Sequence, residues 1–269
     1  MRHSLACLFL GWAFLLAATP AHAQKKNPQG KAVLLLSGGQ REHHGYRDQA
    51  NGLAHSLEET GLFRVTIGED AALLETDALS HYQAIILLTD RRDPEFRFTE
   101  KQQRRLVEFV QDQGKALVSI HGADNAAPDW LPEMRAMLGG VFSHDTSGGR
   151  PDGKTRKGDY RIQILQPEHP ACAGLLDFDL KDELYYHMQM EPGIVPVAGV
   201  TVEGKDWPVA WAKDHGKGRV FHTVFGHRDF GPDKHDPLHN PELFKLVSQG
   251  LSWAVSGPVS EAAPSLEKP

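Results

Sequence analysis

Histidines and carboxylates are the residues of this sequence best able to do chemistry. Of its 15 histidines, 13 lie beyond the first 23 residues, and several follow apolar runs, where an imidazole can serve as base, acid or metal ligand. Four clusters stand out. In Ser119-Ile120-His121-Gly122-Ala123-Asp124 an apolar run ends in a histidine and a turn-forming glycine. That strand-to-turn position carries the nucleophile of many hydrolases, but an imidazole is not the usual attacking group. Gly38-Gly39-Gln40-Arg41-Glu42-His43-His44-Gly45 follows the first apolar run. Its adjacent histidines can converge on an ion, and the plainer alternative is two solvent-facing side chains. In Asp182-Glu183-Leu184-Tyr185-Tyr186-His187, an extended backbone would place Glu183, Tyr185 and His187 on one face. Phe225-Gly226-His227-Arg228-Asp229 ends a later strand, and its glycine permits close backbone approach.

Two chemistries fit these groups. In the first, His121, His227 and His43 supply neutral nitrogens and Glu183 an oxygen to zinc or a similar divalent ion, leaving a position for water or substrate. In the second, no metal is needed: His121 is a general base oriented by Glu183, with His227 beside it. His44, Asp124, Asp182 and Tyr185 are assigned to substrate binding in either case. Cys172 is the one cysteine beyond the first 23 residues, and it reads as a small core residue. That excludes an internal disulfide, a cysteine zinc cage and a cysteine nucleophile at the strand-to-turn position.

These side chains need elements that bring them together. Lys31–Ser37, Phe63–Ile67, Gln83–Leu88 and Lys115–Ile120 are short apolar runs typical of buried strands. Between them, Tyr46–Glu59 has leucines at helical spacing, a short helix fits near Asp77, and Thr99 with Gln102 forms a capping-box signature ahead of Leu106, Phe109 and Val110. Alternating strands and helices imply a mostly parallel sheet covered on both faces. Ligands in such sheets bind beyond the carboxyl ends of the strands, which singles out the segments 37–48 and 121–124. Past residue 140 the pattern turns β-rich: Tyr160–Leu165, Val195–Val202, Pro208–Ala212 and Arg219–Val224 alternate, and a final helix covers Pro241–Ala254. The Gly- and Lys-rich stretch 147–158 reads as a mobile loop. His222 reads as satisfied within the fold, and His55 and His81 as surface residues.

The N-terminus has the pattern of an export signal: a basic start, an apolar stretch over 5–18 and Ala21-His22-Ala23 as a cleavage site. The expectation is a signal peptide over 1–23, a linker over 24–30, one domain over 31–256 and a flexible tail over 257–269, with the protein periplasmic or secreted. No segment suits a membrane span. The formal net charge of −6 argues against a nucleic-acid partner, which needs a concentrated basic surface.

The chain resembles the ThuA-like (trehalose utilisation) family, within the class I glutamine-amidotransferase-like superfamily. The resemblance covers about Lys31 to Ser256. It rests on the order of the Gly-Gly…His43 loop, Ser-Ile-His121-Gly, Leu-Gly-Gly-Val-Phe-Ser-His144, Glu-His169-Pro, Asp-Glu183-Leu-Tyr, Pro-Val-Ala-Trp211, Gly-Lys-Gly-Arg-Val-Phe221 and Gly-His227. The sequence departs from the family pattern at Gln113-Gly114-Lys115, where a glycine run is usual. The resemblance implies a flavodoxin-like three-layer sandwich with an added β-rich half. It also implies a small-molecule carbohydrate substrate, in particular a 3-keto glycoside; on such a sugar the groups above would act by acid–base or metal-assisted elimination or hydrolysis. The alternative is a non-catalytic sugar-binding module of the same fold, with Trp207, Trp211 and Tyr185 as stacking faces; both tryptophans can equally be core residues, and Trp211 reads as one.

Overall fold

The computed structural model describes residues 29–39, 44–229 and 234–257. The expected signal peptide, most of the linker, His43 and nearly all of the tail lie outside the described residues. Nine strands form the main sheet. They are β1 (Lys31–Gly39), β2 (Phe63–Gly68), β3 (Ala84–Asp90), β4 (Ala116–Ile120), β6 (Lys154–Ile164), β7 (Phe178–Tyr186), β9 (Val195–Val202), β10 (Lys205–His215) and β11 (Gly218–Thr223). Two short strands, β5 (Gly140–Val141) and β8 (Gln189–Met190), pair separately. The helices are α1 (Tyr46–Glu59), α2 (Glu100–Gln111), α3 (Pro132–Leu138) and α4 (Pro241–Val255).

The main sheet runs β2-β1-β3-β4-β11-β10-β9-β6-β7. Its first five strands are parallel, and the rest join them antiparallel. This is the flavodoxin-like α/β sandwich with an added β-rich half. Parallel strands are covered on both sides, so β3 and β4 are buried at every residue, which explains their unbroken apolar sequence. One core cluster contains Val33, Leu35, Ile86 and Val118, with Leu53 and Leu57 of α1 and Leu243 and Leu251 of α4. The other contains Leu34, Ile85 and Leu117, with Leu106, Phe109 and Val110 of α2. Full burial of each such side chain contributes roughly 1.5–3 kcal/mol.

Local signals set the helix ends. Thr99 accepts from the Gln102 backbone N–H at 3.2 Å, and the Gln102 side chain accepts from the Thr99 N–H at 3.0 Å, completing the capping box. Asn240 caps α4 through the N–H groups of Glu242 and Leu243, with Pro241 in the first turn.

The order of strands creates the ligand edge. β1 lies between β2 and β3, so the connections leaving β1 and β3 diverge there. Gly39 at the end of β1 has φ 97°, and a Cβ there would stand 1.9 Å from the carbonyl oxygen of Asp90. Only glycine lets the two strand ends close up in this way.

The stretch 147–158 differs from the sequence expectation. Its last part, Lys154–Gly158, belongs to β6 and pairs with β7 in the register Lys154↔Tyr186, Lys157↔Glu183 and Gly158↔Asp182. The first four residues of β6 are exposed, so no apolar alternation marks this half of the strand.

Candidate functional site

The end of β4, the interior of β7 and the loops after β1 and β11 supply the site. β4 ends at Ile120, and His121 follows in a single 3-10 turn with φ 46°. This left-handed backbone is uncommon for a residue with a Cβ. It directs a side chain that is 1% exposed under the loop after β11. There His121 Nδ1 lies 2.7 Å from the carbonyl oxygen of Val224, so Nδ1 carries the proton and Nε2 keeps its lone pair. His227 comes from that same loop. Its Nδ1 is 3.1 Å from His121 Nε2 and 3.0 Å from Glu183 Oε2, and its Nε2 is 2.9 Å from Asp229 Oδ1. Glu183 Oε2 is also 3.5 Å from His121 Nε2.

His44, just before α1, completes the cluster. Its ring stacks on Tyr46 at 4.8 Å and meets His121 and His227 edge-on at 5.5 and 5.0 Å. Ligating nitrogens of His44, His121 and His227 all lie within 4.8 Å of one another.

Charge follows this geometry. Burial alone would raise the Glu183 carboxyl, but the His121 and His227 imidazoles facing Oε2 reverse this whenever a proton sits between them and the carboxylate, and hold it well below the usual range. Burial works against charging His227, while Glu183 and Asp229 more than offset that and raise its pKa. Lys157, 2.9 Å from Asp229 Oδ1, and then His227 pull Asp229 down to about 2.

The donor set fits a metal ion. With Val224 and Asp229 taking the outer N–H groups, the inner nitrogens of both histidines and Glu183 Oε2 all present lone pairs to one point. Their mutual separations of 3.0, 3.1 and 3.5 Å bracket the ~3.3 Å expected between ligand atoms around four-coordinate zinc with ~2.0–2.1 Å bonds. Outer nitrogens tied to a carbonyl and a carboxylate are the usual support of metal-bound histidine.

A cleft of about 260 Å³ opens over these groups. Among its lining residues are His44, Asp90, Tyr185, Glu183, His227 and Asp229. Thus His44, Tyr185, Glu183 and His227 reach the ligand space, with His121 beneath them. His43 lies outside the described residues. Asp182 and Asp124 are brought close but buried. Asp182 accepts the backbone N–H groups of Gly226 at 2.7 Å, His227 at 3.1 Å and Glu183 at 2.7 Å, and burial pushes its carboxyl up to about 7. It clamps the His227 loop to β7 and does not face the cleft. Asp124 lies 3.1 Å from His222, beneath the cleft. Burial raises Asp124 well above the carboxylate range and lowers His222 to about 3, so the pair is neutral.

His187 leaves the face expected of it. Its φ of 57° breaks the strand alternation, and its ring packs on Trp207 at 4.7 Å. Trp211 is fully buried and stacks on His222 at 4.1 Å.

Sequence reasoning missed several cleft residues. Asp90 ends β3, and the rule that picked out the ends of β1 and β4 applied to it equally. Its Oδ2 accepts from Asn125 Nδ2 at 2.8 Å, and the same amide lies 3.5 Å from the Tyr185 hydroxyl. Asp229 was visible in the fourth cluster without an assigned role. Lys157 and Thr155 line the cleft from the stretch taken for a loop. Cys172 is buried with its thiol 3.6 Å from the Val197 carbonyl, and burial pushes it up to about 11.

Comparison with known proteins agrees with the fold. A family model described as "Trehalose utilisation" (ThuA) matches residues 32–254. A ThuA-like protein from Parabacteroides merdae is 25% identical, with TM-score 0.71 over 88% of this chain and 94% of its own. Another, from Bacteroides uniformis, is 19% identical, with TM-score 0.63 over 89% and 96%. A glutamine amidotransferase from Thermotoga maritima is also similar, at 11% identity and TM-score 0.44 over 72% and 75%. No curated protein matches the chain. No helix among the described residues is long and apolar enough to cross a membrane. With a family model matching across nearly every described element, the chain belongs to the ThuA (trehalose utilisation) family.

Proposed function

We propose that this protein is an exported enzyme that cleaves glycosides carrying a ketone on the sugar ring, by elimination or hydrolysis at a divalent metal centre. The carrying observation is the convergence of His121 Nε2, His227 Nδ1 and Glu183 Oε2 within 3.0–3.5 Å, with the outer histidine nitrogens anchored elsewhere. Lone pairs this close repel unless a metal cation or a proton lies among them, and a metal ion is the occupant that serves all three donors at once. His44, His121, His227 and Glu183 would hold that ion, and bound there it would polarise a carbonyl oxygen.

The chain's own residues supply the remaining steps. Asp229 lines the cleft, stands outside the ligand set and stays ionised beside Lys157. Its carboxylate takes the proton from the carbon between the ketone and the anomeric centre. The electron pair left behind forms the new C=C bond as the anomeric C–O bond breaks, and the departing oxygen takes up the proton. Addition of water to the unsaturated product completes hydrolysis. Lys157 fixes Asp229 at the rim.

A purely sugar-binding role has less support. Sugar rings dock on open aromatic faces, yet Tyr185 has Phe142 at 4.4 Å and His121 at 4.2 Å, while Trp211 is buried. The deciding experiment is elemental analysis of the purified protein, then incubation with native and 3-keto disaccharides before and after chelation, read by mass spectrometry. Metal-dependent cleavage of the oxidised sugar is expected. Binding without any mass change would overturn the enzymatic reading. Export is tested by N-terminal sequencing of periplasmic or culture-fluid protein, with Gln24 expected first.

A further inference from the structure

We propose that a second cavity beside the cleft is the subsite for the leaving-group sugar, so that the preferred ligand is a neutral disaccharide. This rests on the reading that the ligand is a carbohydrate. The cavity measures about 290 Å³ and shares Arg92, Phe142 and His144 with the cleft over the histidine cluster. Each compartment alone falls below the ~300–1,000 Å³ typical of small-molecule sites, and together they reach that range.

The dividing wall is built, not incidental. Phe142 N–H donates to the Asp124 carbonyl at 3.1 Å, and its carbonyl accepts from Ala126 at 3.0 Å. These bonds tie it to the turn that carries His121. Its ring stacks on Tyr185 and meets His144 edge-on at 5.1 Å. The wall is therefore held against Tyr185, at the border that both compartments share.

Lining chemistry selects the occupant. Pro94 and Pro128, both exposed, offer C–H surface, which suits the apolar face of a sugar ring. Arg97 is held by its Nε, 3.0 Å from the Arg92 carbonyl and 3.9 Å from Asp129. Its two Nη groups have no hydrogen-bond partner among the described residues, so they are available to ligand oxygens. Asp93 and Asp145 line the same cavity. Mixed charge favours hydroxyl groups, which donate and accept, over a phosphate or carboxylate.

The test compares a 3-keto disaccharide with the methyl glycoside of the same 3-keto sugar. Two variants are used: Arg97→Ala, which removes the donors, and Pro128→Trp, which fills the cavity from an exposed position. Both should lower the ratio of kcat/KM for disaccharide over methyl glycoside at least tenfold. An unchanged ratio in both variants overturns the subsite while leaving the proposed reaction intact. If wild type turns over neither compound, the reaction fails instead, and calorimetric titration of the same two compounds decides the subsite. Tighter binding of the disaccharide, lost in both variants, supports it; equal affinities refute it.

Discussion

Oε2 of Glu183 stands 3.0 Å from Nδ1 of His227, and the backbone fixes that spacing before either side chain chooses a rotamer. The neighbouring residue, Asp182, grips the N–H groups of Gly226 and His227 from β7. Gly226 accepts this posture with φ 123°, a region closed to side-chain-bearing residues. A Cβ there would also lie 2.7 Å from Ile120 Cγ2.

Asp182→Asn should therefore damage the site without touching any ligating atom. Its amide nitrogen cannot accept, so at least one of the three N–H groups loses its partner, at about 1–3 kcal/mol. Support groups of metal ligands typically matter 10–100-fold in affinity. Zinc affinity measured by competition with a chromophoric chelator is expected to fall by that factor, together with urea stability. An affinity equal to wild type would mean that the loop is set by something other than this clamp.

Asp229 and Lys157 make a pair of opposite tests. Asp229→Asn removes the proposed base, so kcat should drop about 10²–10⁴-fold while bound metal persists at saturating concentration. Lys157→Met keeps the base but removes the leading cause of its low pKa of about 2, whose ordinary value is 3.8. The acidic limb of the kcat profile then moves to higher pH, because Asp229 protonates sooner. A limb that moves to lower pH, or stays in place, would remove Asp229 from that role.

His121 carries a structural load as well as a chemical one. Alanine there would strand the Val224 carbonyl, costing about 1–3 kcal/mol, and would sit poorly at φ 46°. Asparagine tolerates the left-handed region better. His121→Asn should lose metal and turnover with a smaller fall in thermal midpoint than His121→Ala. Full turnover in the asparagine variant, verified by metal analysis, would show that His121 only packs.

How much of this was legible depends on what each element buries. The parallel strands show themselves because both faces are covered, and α2 because Thr99 and Gln102 spell out its cap. His121 and His227 were legible as residues that follow apolar strands, and Glu183 as one face of an extended segment. Three features were not. His187 follows a residue in regular strand, and nothing in its neighbours signals the left-handed turn that sends it to Trp207. Lys157 and Thr155 belong to a solvent-facing half-strand whose partner is known only from pairing with β7. Asp182 and Asp124 have the polarity of ligand-binding residues, but one accepts backbone N–H groups and the other meets a buried histidine. Composition does not separate a carboxyl that faces substrate from one that organises the backbone beneath it.

The Asp124–His222 contact gives a stability test independent of catalysis. Both side chains are fully buried, so the folded state keeps the pair neutral, with its one proton on Asp124. Unfolded, Asp124 ionises near its ordinary 3.8 and His222 near 6.5. Between about pH 4 and 6.5 each state then holds one proton, and this pair contributes no slope to stability. Above 6.5 the unfolded pair holds none, so wild type loses stability as pH rises towards the raised folded pKa of Asp124. Asp124→Asn deletes that carboxyl. The variant's folded pair holds no proton above about pH 3, while unfolded His222 still binds one below 6.5, so the variant loses stability on acidification through that window. Relative to wild type, it should gain about 1.4 kcal/mol per pH unit from pH 4 upward. Urea melts of both proteins at pH 4.5, 6 and 8 measure this directly. Parallel stability curves would mean that Asp124 is ionised in the folded protein and that the pair beneath the cleft carries charge.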